Sequence, residues 1–255
     1  MTAPLPEEAP LLEARNLRKH WGGVAAVEDV SFAVRPGEML ALIGPNGAGK
    51  STCFNMLNGQ IRPDAGRVRL AGRDITGLPP RAVWRLGVGR CFQVTATFGS
   101  LTLRDNVRLA LLSHHRRLFG LWRPAAAQMT AEAEALLARV GLLAQAGRPC
   151  GVLAYGDLKR LELAMALSNQ PRLLLMDEPT AGMAPDARIA LMAETAALAR
   201  AAGIAVLFTE HDMDVVFGHA DRVLVLERGR LIADGTPAAV RADPRVRQVY
   251  LGKAG

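Results

Sequence analysis

GPNGAGKST, from Gly44 to Thr52, follows the apolar run Met39–Ile43 and precedes a helix-compatible stretch ending near Gly59. A strand, a glycine-rich turn and a helix in that order form a phosphate-binding loop. Gly44, Gly47 and Gly49 permit backbone conformations that turn several N–H groups into one concavity. Pro45, Asn46 and Ala48 complete the loop, and the helix that follows adds its positive N-terminal end. In this pattern Lys50 reaches the β and γ phosphates, the Ser51 hydroxyl ligates Mg²⁺, and Thr52 closes the motif. The expected ligand is a nucleoside triphosphate.

On both sides of the loop the sequence reads as alternating strands and helices. Val30, Phe32 and Val34 are separated by the small residues Ser31 and Ala33, and Pro36-Gly37 then makes a turn. Val68 and Leu70 alternate with Arg67 and Arg69, the pattern of a half-exposed strand. From about Val94 to Leu167 the signals are helical, with Thr130 the expected N-cap before AEAEALLARV. Strand-like runs return at Leu173 to Met176, Ile204 to Phe208 and Val223 to Leu226. Asp186 to Ala202 is Ala-rich, with Asp186 the expected cap and Gly203 the expected stop. Buried strands alternating with helices imply a parallel α/β sheet carrying a helical insertion.

Composition narrows the classes. The chain has 255 residues, half of them hydrophobic and 22% charged, which is globular composition. No apolar run approaches the roughly eighteen residues that a membrane span needs. The opening MTAPLPEEAP lacks a basic n-region, so a secretory signal is not expected. Three cysteines without CxxC spacing exclude a disulfide framework or zinc ribbon and suit a reduced cytosolic setting. The net charge of +7 favours an anionic neighbour, but only 5% of residues are aromatic. No aromatic-and-basic stretch suggests base stacking, so nucleic acid is not an expected partner.

A second chemical element lies in RLLLMDEPT, where an apolar run ends in Asp177 and Glu178. An acidic residue at the end of such a strand holds Mg²⁺ through water, and its neighbour Glu178 can polarise an attacking water. His211, in LFTEHDMDVV, follows the next strand-like run and would face the same crevice. An imidazole there can hydrogen-bond the γ-phosphate. His20, His114, His115 and His219 carry no such context.

The glycine loop, Gln93 in CFQ, LAYGDLKR at Leu153, LLLMDEPT and His211 occur in an order and spacing that resemble the ATP-binding-cassette ATPases. The likeness extends over about Leu11 to Gly252. It implies a phosphate-loop NTPase core with a parallel sheet, an N-terminal antiparallel β subdomain and an inserted helical subdomain. Residues 11–93 and 168–252 would form the core, 94–167 the insertion, and 1–10 a flexible leader. On the same resemblance, Trp21 stacks on adenine, where the family more often has Tyr or Phe. Gln93 contacts Mg²⁺ and the lytic water, Asp177 is the metal-associated aspartate, Glu178 the catalytic base and His211 the γ-phosphate switch.

The resemblance also places a signature stretch at Leu153-Ala154-Tyr155-Gly156-Asp157, which would cap ATP held by an opposite subunit with a helix N-terminus. The commonest family form is Leu-Ser-Gly-Gly-Gln. Ala154 removes the serine hydroxyl, a charge-assisted hydrogen bond worth about 1.5–3 kcal/mol. Asp157 adds negative charge near a phosphate or caps the helix. Ala181-Gly182-Met183-Ala184 lacks the usual final aspartate.

Two half-sites on one chain imply a dimer that closes on ATP and reopens on hydrolysis, with a related ATPase or a second copy as partner. LAYGDLKRLELA, EPTAGMAP, FTEHDMDVVF and VYLG resemble the ATPases of branched-chain amino acid importers and related amide systems. Such importers pair two ATPases with membrane permease subunits and a solute-binding protein, so the chain would sit peripherally on the cytoplasmic face of the membrane. Permease helices would dock near Gln93 and TATFGSLTLRDNVRLA. Five arginines and one aspartate between 104 and 123 offer a surface for lipid headgroups or a solvated face. The alternatives are the ATPase of a lipid or lipopolysaccharide exporter, a cassette protein with no permease, and a binding subunit that is catalytically silent.

Overall fold

The computed structural model describes residues 9–91, 97–115 and 129–250. Strands β1 (Leu12–Trp21) and β2 (Val24–Val34) pair antiparallel. With β4 (Ala65–Leu70) and β5 (Arg73–Asp74) they build a four-stranded sheet of order β2-β1-β4-β5. The second sheet contains β3 (Met39–Ile43), β6 (Val88–Cys91), β7 (Leu173–Asp177), β8 (Ala205–Thr209), β9 (Arg222–Glu227) and β10 (Arg230–Gly235). Its order is β10-β9-β3-β8-β7-β6. Every neighbouring pair is parallel except β9 and β10, which are antiparallel. This edge hairpin adds one antiparallel strand to the parallel sheet that the sequence pattern implies. Gly229, with φ +78°, makes the tight turn that the hairpin needs.

The strands of the second sheet are unbroken apolar runs because both of their faces are covered. Alternation sorts each run: Met39, Ala41 and Ile43 enter one core, and Leu40 and Leu42 the other. Leu174, Met176, Val206 and Phe208 join the first core; Leu173, Leu175, Ala205 and Leu207 join the second. On the second side lie the four-stranded sheet and α1 (Lys50–Leu57), which contributes Cys53, Phe54, Met56 and Leu57. A buried leucine such as Leu42 reduced to alanine would cost about 2–5 kcal/mol and loosen the strand that carries the glycine loop.

Short α2 (Pro80–Arg85) precedes β6. The first core is covered by α3 (Leu103–His114), α4 (Thr130–Arg139) and α5 (Tyr155–Ala166), which lie between β6 and β7 in the chain. It is completed by α6 (Pro185–Ala202), α7 (Met213–His219), α8 (Pro237–Ala242) and α9 (Pro244–Tyr250). Two expected caps are corrected. The carbonyl of Met129, at φ +60°, accepts the first helical bond of α4, from Ala133 N–H, so Thr130 is already inside the helix. Likewise Ala184 precedes Pro185 and its carbonyl accepts from Arg188 N–H, which puts Asp186 in the first turn rather than at the cap. Gly203 does close α6 in the left-handed conformation.

Cys53, Cys91 and Cys150 are buried free thiols. Burial pushes the first two up to about 12, so they pack as inert side chains. Of the arginines between 104 and 123, Arg104 pairs with Glu134 at 3.0 Å and Arg108 is buried beside Asp105 at 2.8 Å. Arg104 is thus paired at the surface and Arg108 is held inside; Arg116, Arg117 and Arg123 lie outside the described residues.

Candidate active site

The glycine loop joins β3 to α1 at the C-terminal edge of the six-stranded sheet, where ligands of open α/β sheets bind. Two of its glycines are required by contact. A Cβ on Gly44 would come 2.3 Å from the Leu226 carbonyl, and one on Gly49 would come 2.3 Å from that of Ala26. Gly49 also has φ +105°. The loop is thereby clamped between β9 and β2, and Gly229 N–H adds a 2.9 Å bond to the Ala48 carbonyl. Asn46 and Gly47 are exposed, and Ala48 turns back to Pro45.

Helix α1 begins with no side-chain cap, so its first N–H groups are open to an anion. Lys50 is buried, and its Nζ donates to the carbonyls of Gly44 at 2.6 Å and Pro45 at 3.2 Å. Burial pushes its ammonium below the ordinary lysine value, while the carboxylates of Glu178 and Asp177 pull it back. The Ser51 side chain is exposed in the same turn and Thr52 is half-buried.

Asp177 ends β7 and Glu178 follows it with φ +49°. A side chain rarely adopts that backbone conformation, and it persists only where neighbours over-determine it. Here Glu178 N–H donates to both the carbonyl (3.2 Å) and the hydroxyl (3.0 Å) of Thr209 at the end of β8. The Thr209 hydroxyl in turn donates to Asp177 Oδ1 at 2.8 Å. His211 Nε2 meets Glu178 Oε1 at 2.8 Å; a carboxylate accepts, so the imidazole is the donor. Buried Glu210 accepts from the Thr180 N–H at 2.9 Å and hydroxyl at 2.7 Å. The ends of β7 and β8 are therefore laced together residue by residue, and Lys50, Asp177, Glu178 and His211 share one crevice.

Trp21 ends β1 and is 53% exposed, which excludes a core role and leaves its face available for stacking. Lys19 Nζ lies 4.8 Å from its ring centroid. Gln93 lies outside the described residues. Ala154 stands at the uncapped start of α5 in extended conformation, followed by Tyr155, Gly156 and Asp157 in the first turn. The expected Asp157 cap is absent: its carboxylate accepts from Gln145 at 3.0 Å and Arg160 at 3.2 Å. This start packs on its own chain's Gly182 and Met183.

A divalent cation fits the donor set. Ser51 and Asp177 offer a hydroxyl and a carboxylate, the hard oxygen donors that Mg²⁺ prefers. Among the described residues no group of three His, Cys, Asp or Glu side chains forms a metal cage, so phosphate oxygens, water and neutral side chains would supply the rest of the shell. Thr209, Glu210 and Thr180 were missed in the sequence reading. For Thr209 the one available signal was a polar residue that ends an apolar run, which marks the position but not the partners it meets. Asn106 was also missed; it is fully buried and binds the Phe98 carbonyl (3.2 Å) and N–H (2.8 Å), which fixes the loop before α3.

Comparison with known proteins identifies the family and the fold. The family model for the ABC transporter matches residues 27–181, and that for the branched-chain amino acid ATP-binding cassette transporter matches 230–255. The high-affinity branched-chain amino acid transport ATP-binding protein LivG of Salmonella typhimurium is 39% identical over 254 residues, covering 96% of this chain and 99% of that protein. The lipopolysaccharide export system ATP-binding protein LptB of Acidithiobacillus ferridurans is 38% identical over 242 residues, covering 95% and 97%. A crystal structure of a nucleotide-free ATP-binding cassette from an ABC transporter superposes with a TM-score of 0.86 at 31% identity, covering 96% of this chain and all of that one.

Proposed function

From the premise that the chain belongs to the ATP-binding-cassette transporter family, as an ATP-binding subunit of the branched-chain amino acid type, we infer how its residues divide the work of transport. It is an ATPase whose hydrolysis is coupled to transport. In our reading the direction is import, and the reaction is an attack of water on the γ-phosphate. The observation that carries it is the convergence of Lys50, Asp177, Glu178 and His211 at the ends of β3, β7 and β8.

Each residue has a task that its surroundings support. The glycine-loop N–H groups and the start of α1 hold the phosphates, and Lys50 exchanges its carbonyl contacts for phosphate oxygens. Trp21 stacks on the base. Ser51 and Asp177, with Gln93, would hold Mg²⁺, which neutralises phosphate charge when bound. Glu178 takes the proton from the attacking water. His211 fixes the orientation of that carboxylate through the 2.8 Å bond and turns to the γ-phosphate when it is present.

The uncapped start of α5, from Ala154 to Asp157, acts on ATP held by the partner ATPase, whether a related subunit or a second copy. We assign residues 94–167 as the helical subdomain that meets the permease, and place the chain on the cytoplasmic face of the membrane. No helix among the described residues is long and apolar enough to cross a bilayer, so passage of substrate belongs to separate permease subunits, with a solute-binding protein beyond them.

Purification of the chain from solubilised native membranes tests this. Co-purification of two permeases, a second cassette ATPase and a solute-binding protein that carries a branched-chain amino acid is expected. The similarity to LptB favours one other reading, an exporter ATPase. Recovery with lipid-exporter subunits and no solute-binding protein would select it, and recovery without any permease would reject both.

A further inference from the structure

Arg90 lies on β6 with its guanidinium under the metal-side carboxylate. Nη1 and Nη2 each donate to Asn55 Oδ1 at 3.1 Å, and Nη1 also donates to Gln60 Oε1 at 2.9 Å. Nη2 stands 3.7 Å from Asp177 Oδ2, with both side chains close to nine-tenths buried. Thr209 already occupies Asp177 Oδ1, so the two oxygens of this carboxylate are divided between a hydroxyl and a cation. Asn55 belongs to α1, the helix that carries Lys50 and Ser51, so the guanidinium bridges the phosphate side and the metal side of the site.

The same guanidinium lines a cavity of about 380 Å³ between the sheet and the helical layer, together with Gln60, Trp84, Ser113 and Glu162. The acceptors on Asn55 and Gln60 are neutral, and Asp177 lies within reach of the guanidinium charge. A buried cation beside a metal-binding carboxylate opposes a second cation there, because a poorly hydrated charge is weakly screened.

We propose that Arg90 is a positioning residue that holds Asp177 in an ion pair while the metal is absent and thereby sets the metal affinity of the nucleotide site. The inference rests on the Mg²⁺ assignment made above. It has a consequence for the cavity. Negative charge placed on the cavity wall beside Arg90 offsets the guanidinium and tightens the metal, so an event in the cavity is felt at Asp177 without touching the nucleotide.

The test is Mn²⁺ binding to the full-length ADP-loaded chain, followed by the electron paramagnetic resonance signal of free Mn²⁺. Metal-free ADP affinity and thermal unfolding are measured on the same samples. Arg90→Gln is expected to tighten Mn²⁺ about tenfold, and Arg90→Lys, which keeps the charge, to stay within about threefold of the native chain. A purely structural role would lower the unfolding temperature in both variants and leave Mn²⁺ affinity alone. An unchanged or weaker Mn²⁺ affinity in a folded Arg90→Gln chain overturns the proposal.

Should Arg90→Gln not fold, Gln60→Glu decides, since position 60 is exposed and the new carboxylate would pair with Arg90. Mn²⁺ tightened about threefold supports the proposal, and no change overturns it. Absence of any Mn²⁺ binding by the native ADP complex would instead remove the metal assignment, and this inference with it.

Discussion

The glycine loop and the start of α5 are both uncapped helix N-termini, yet the chain treats them oppositely. The first is clamped between β2 and β9, with a buried lysine and two carboxylates aimed at the same point. The second is exposed at Ala154 and Tyr155, rests on Gly182 and Met183, and has its acidic residue tied back to Gln145 and Arg160. In the function proposed here the first half-site binds its nucleotide within one chain, and the second, with bare N–H groups turned outward, acts on a phosphate that another chain brings.

The sharpest way to break this contrast is to remove chemistry from the finished half-site while leaving its binding intact. Glu178→Gln keeps the shape and the His211 contact but cannot accept a proton. Turnover is expected to fall about 10²–10⁴-fold with ATP affinity retained, measured as phosphate release beside equilibrium nucleotide binding. Unchanged turnover would take Glu178 out of the mechanism. Lys50→Ala removes a buried cation with charge-assisted bonds to phosphate oxygens, and ATP affinity is expected to drop about 100-fold. Retained affinity would mean that the loop backbone alone holds the phosphates.

Thr209→Val probes how the finished half-site is held. The hydroxyl bonds both Asp177 Oδ1 and Glu178 N–H, and in the valine variant that N–H of the positive-φ Glu178 keeps its bond to the backbone carbonyl of residue 209 but loses the one to the hydroxyl. Each lost bond is worth about 1 kcal/mol, so turnover is expected to fall by up to about thirtyfold with ATP affinity close to native. An equal loss of affinity would show that Thr209 serves the fold rather than the base.

What could be read in advance divides along the same line. Met39–Ile43 and the glycine loop were legible because a buried strand must be apolar and a tight anion cradle must be glycine-rich. Asp177 was legible because the glycine loop upstream supplies a phosphate-bound cation for a carboxylate that closes an apolar run; without that loop the same pattern is an ordinary turn. Thr209 and Arg90 were not, because their roles lie in partners far away in sequence: Thr209 meets residues 177 and 178, and Arg90 meets 55, 60 and 177. A threonine or an arginine in a strand carries no sign of which neighbour the sheet order will bring to it. The misplaced caps at Thr130 and Asp186 have a local cause. Cap position depends on which carbonyl accepts the first bond, and a left-handed Met129 and the helix-opening Pro185 moved that carbonyl upstream.

Trp21→Ala tests the outlying member of the finished half-site. Stacking of a base on an aromatic face is worth about 1–3 kcal/mol, but Lys19 already lies 4.8 Å from this ring and must share it. The low end of that range, about fivefold weaker ATP binding, is therefore expected, with triphosphate alone bound equally by both chains. If the native chain binds ATP no better than bare triphosphate, the ring takes no part in recognition.

Ala154→Ser is the only gain among these changes, and it addresses the unfinished half-site. Since α5 starts with no side-chain cap, its backbone N–H groups are already open to a phosphate, and a serine hydroxyl adds one donor to several. That places the gain near an ordinary hydrogen bond, about 0.5–1.5 kcal/mol, or about two- to tenfold in turnover. The same hydroxyl can turn inward and cap α5 of its own chain, which would consume those donors and raise unfolding temperature instead. Turnover measured with the partner ATPase present and absent separates the two outcomes. A gain that appears only with the partner places α5 on the neighbour's nucleotide, whereas a gain in stability alone makes it an ordinary helix start.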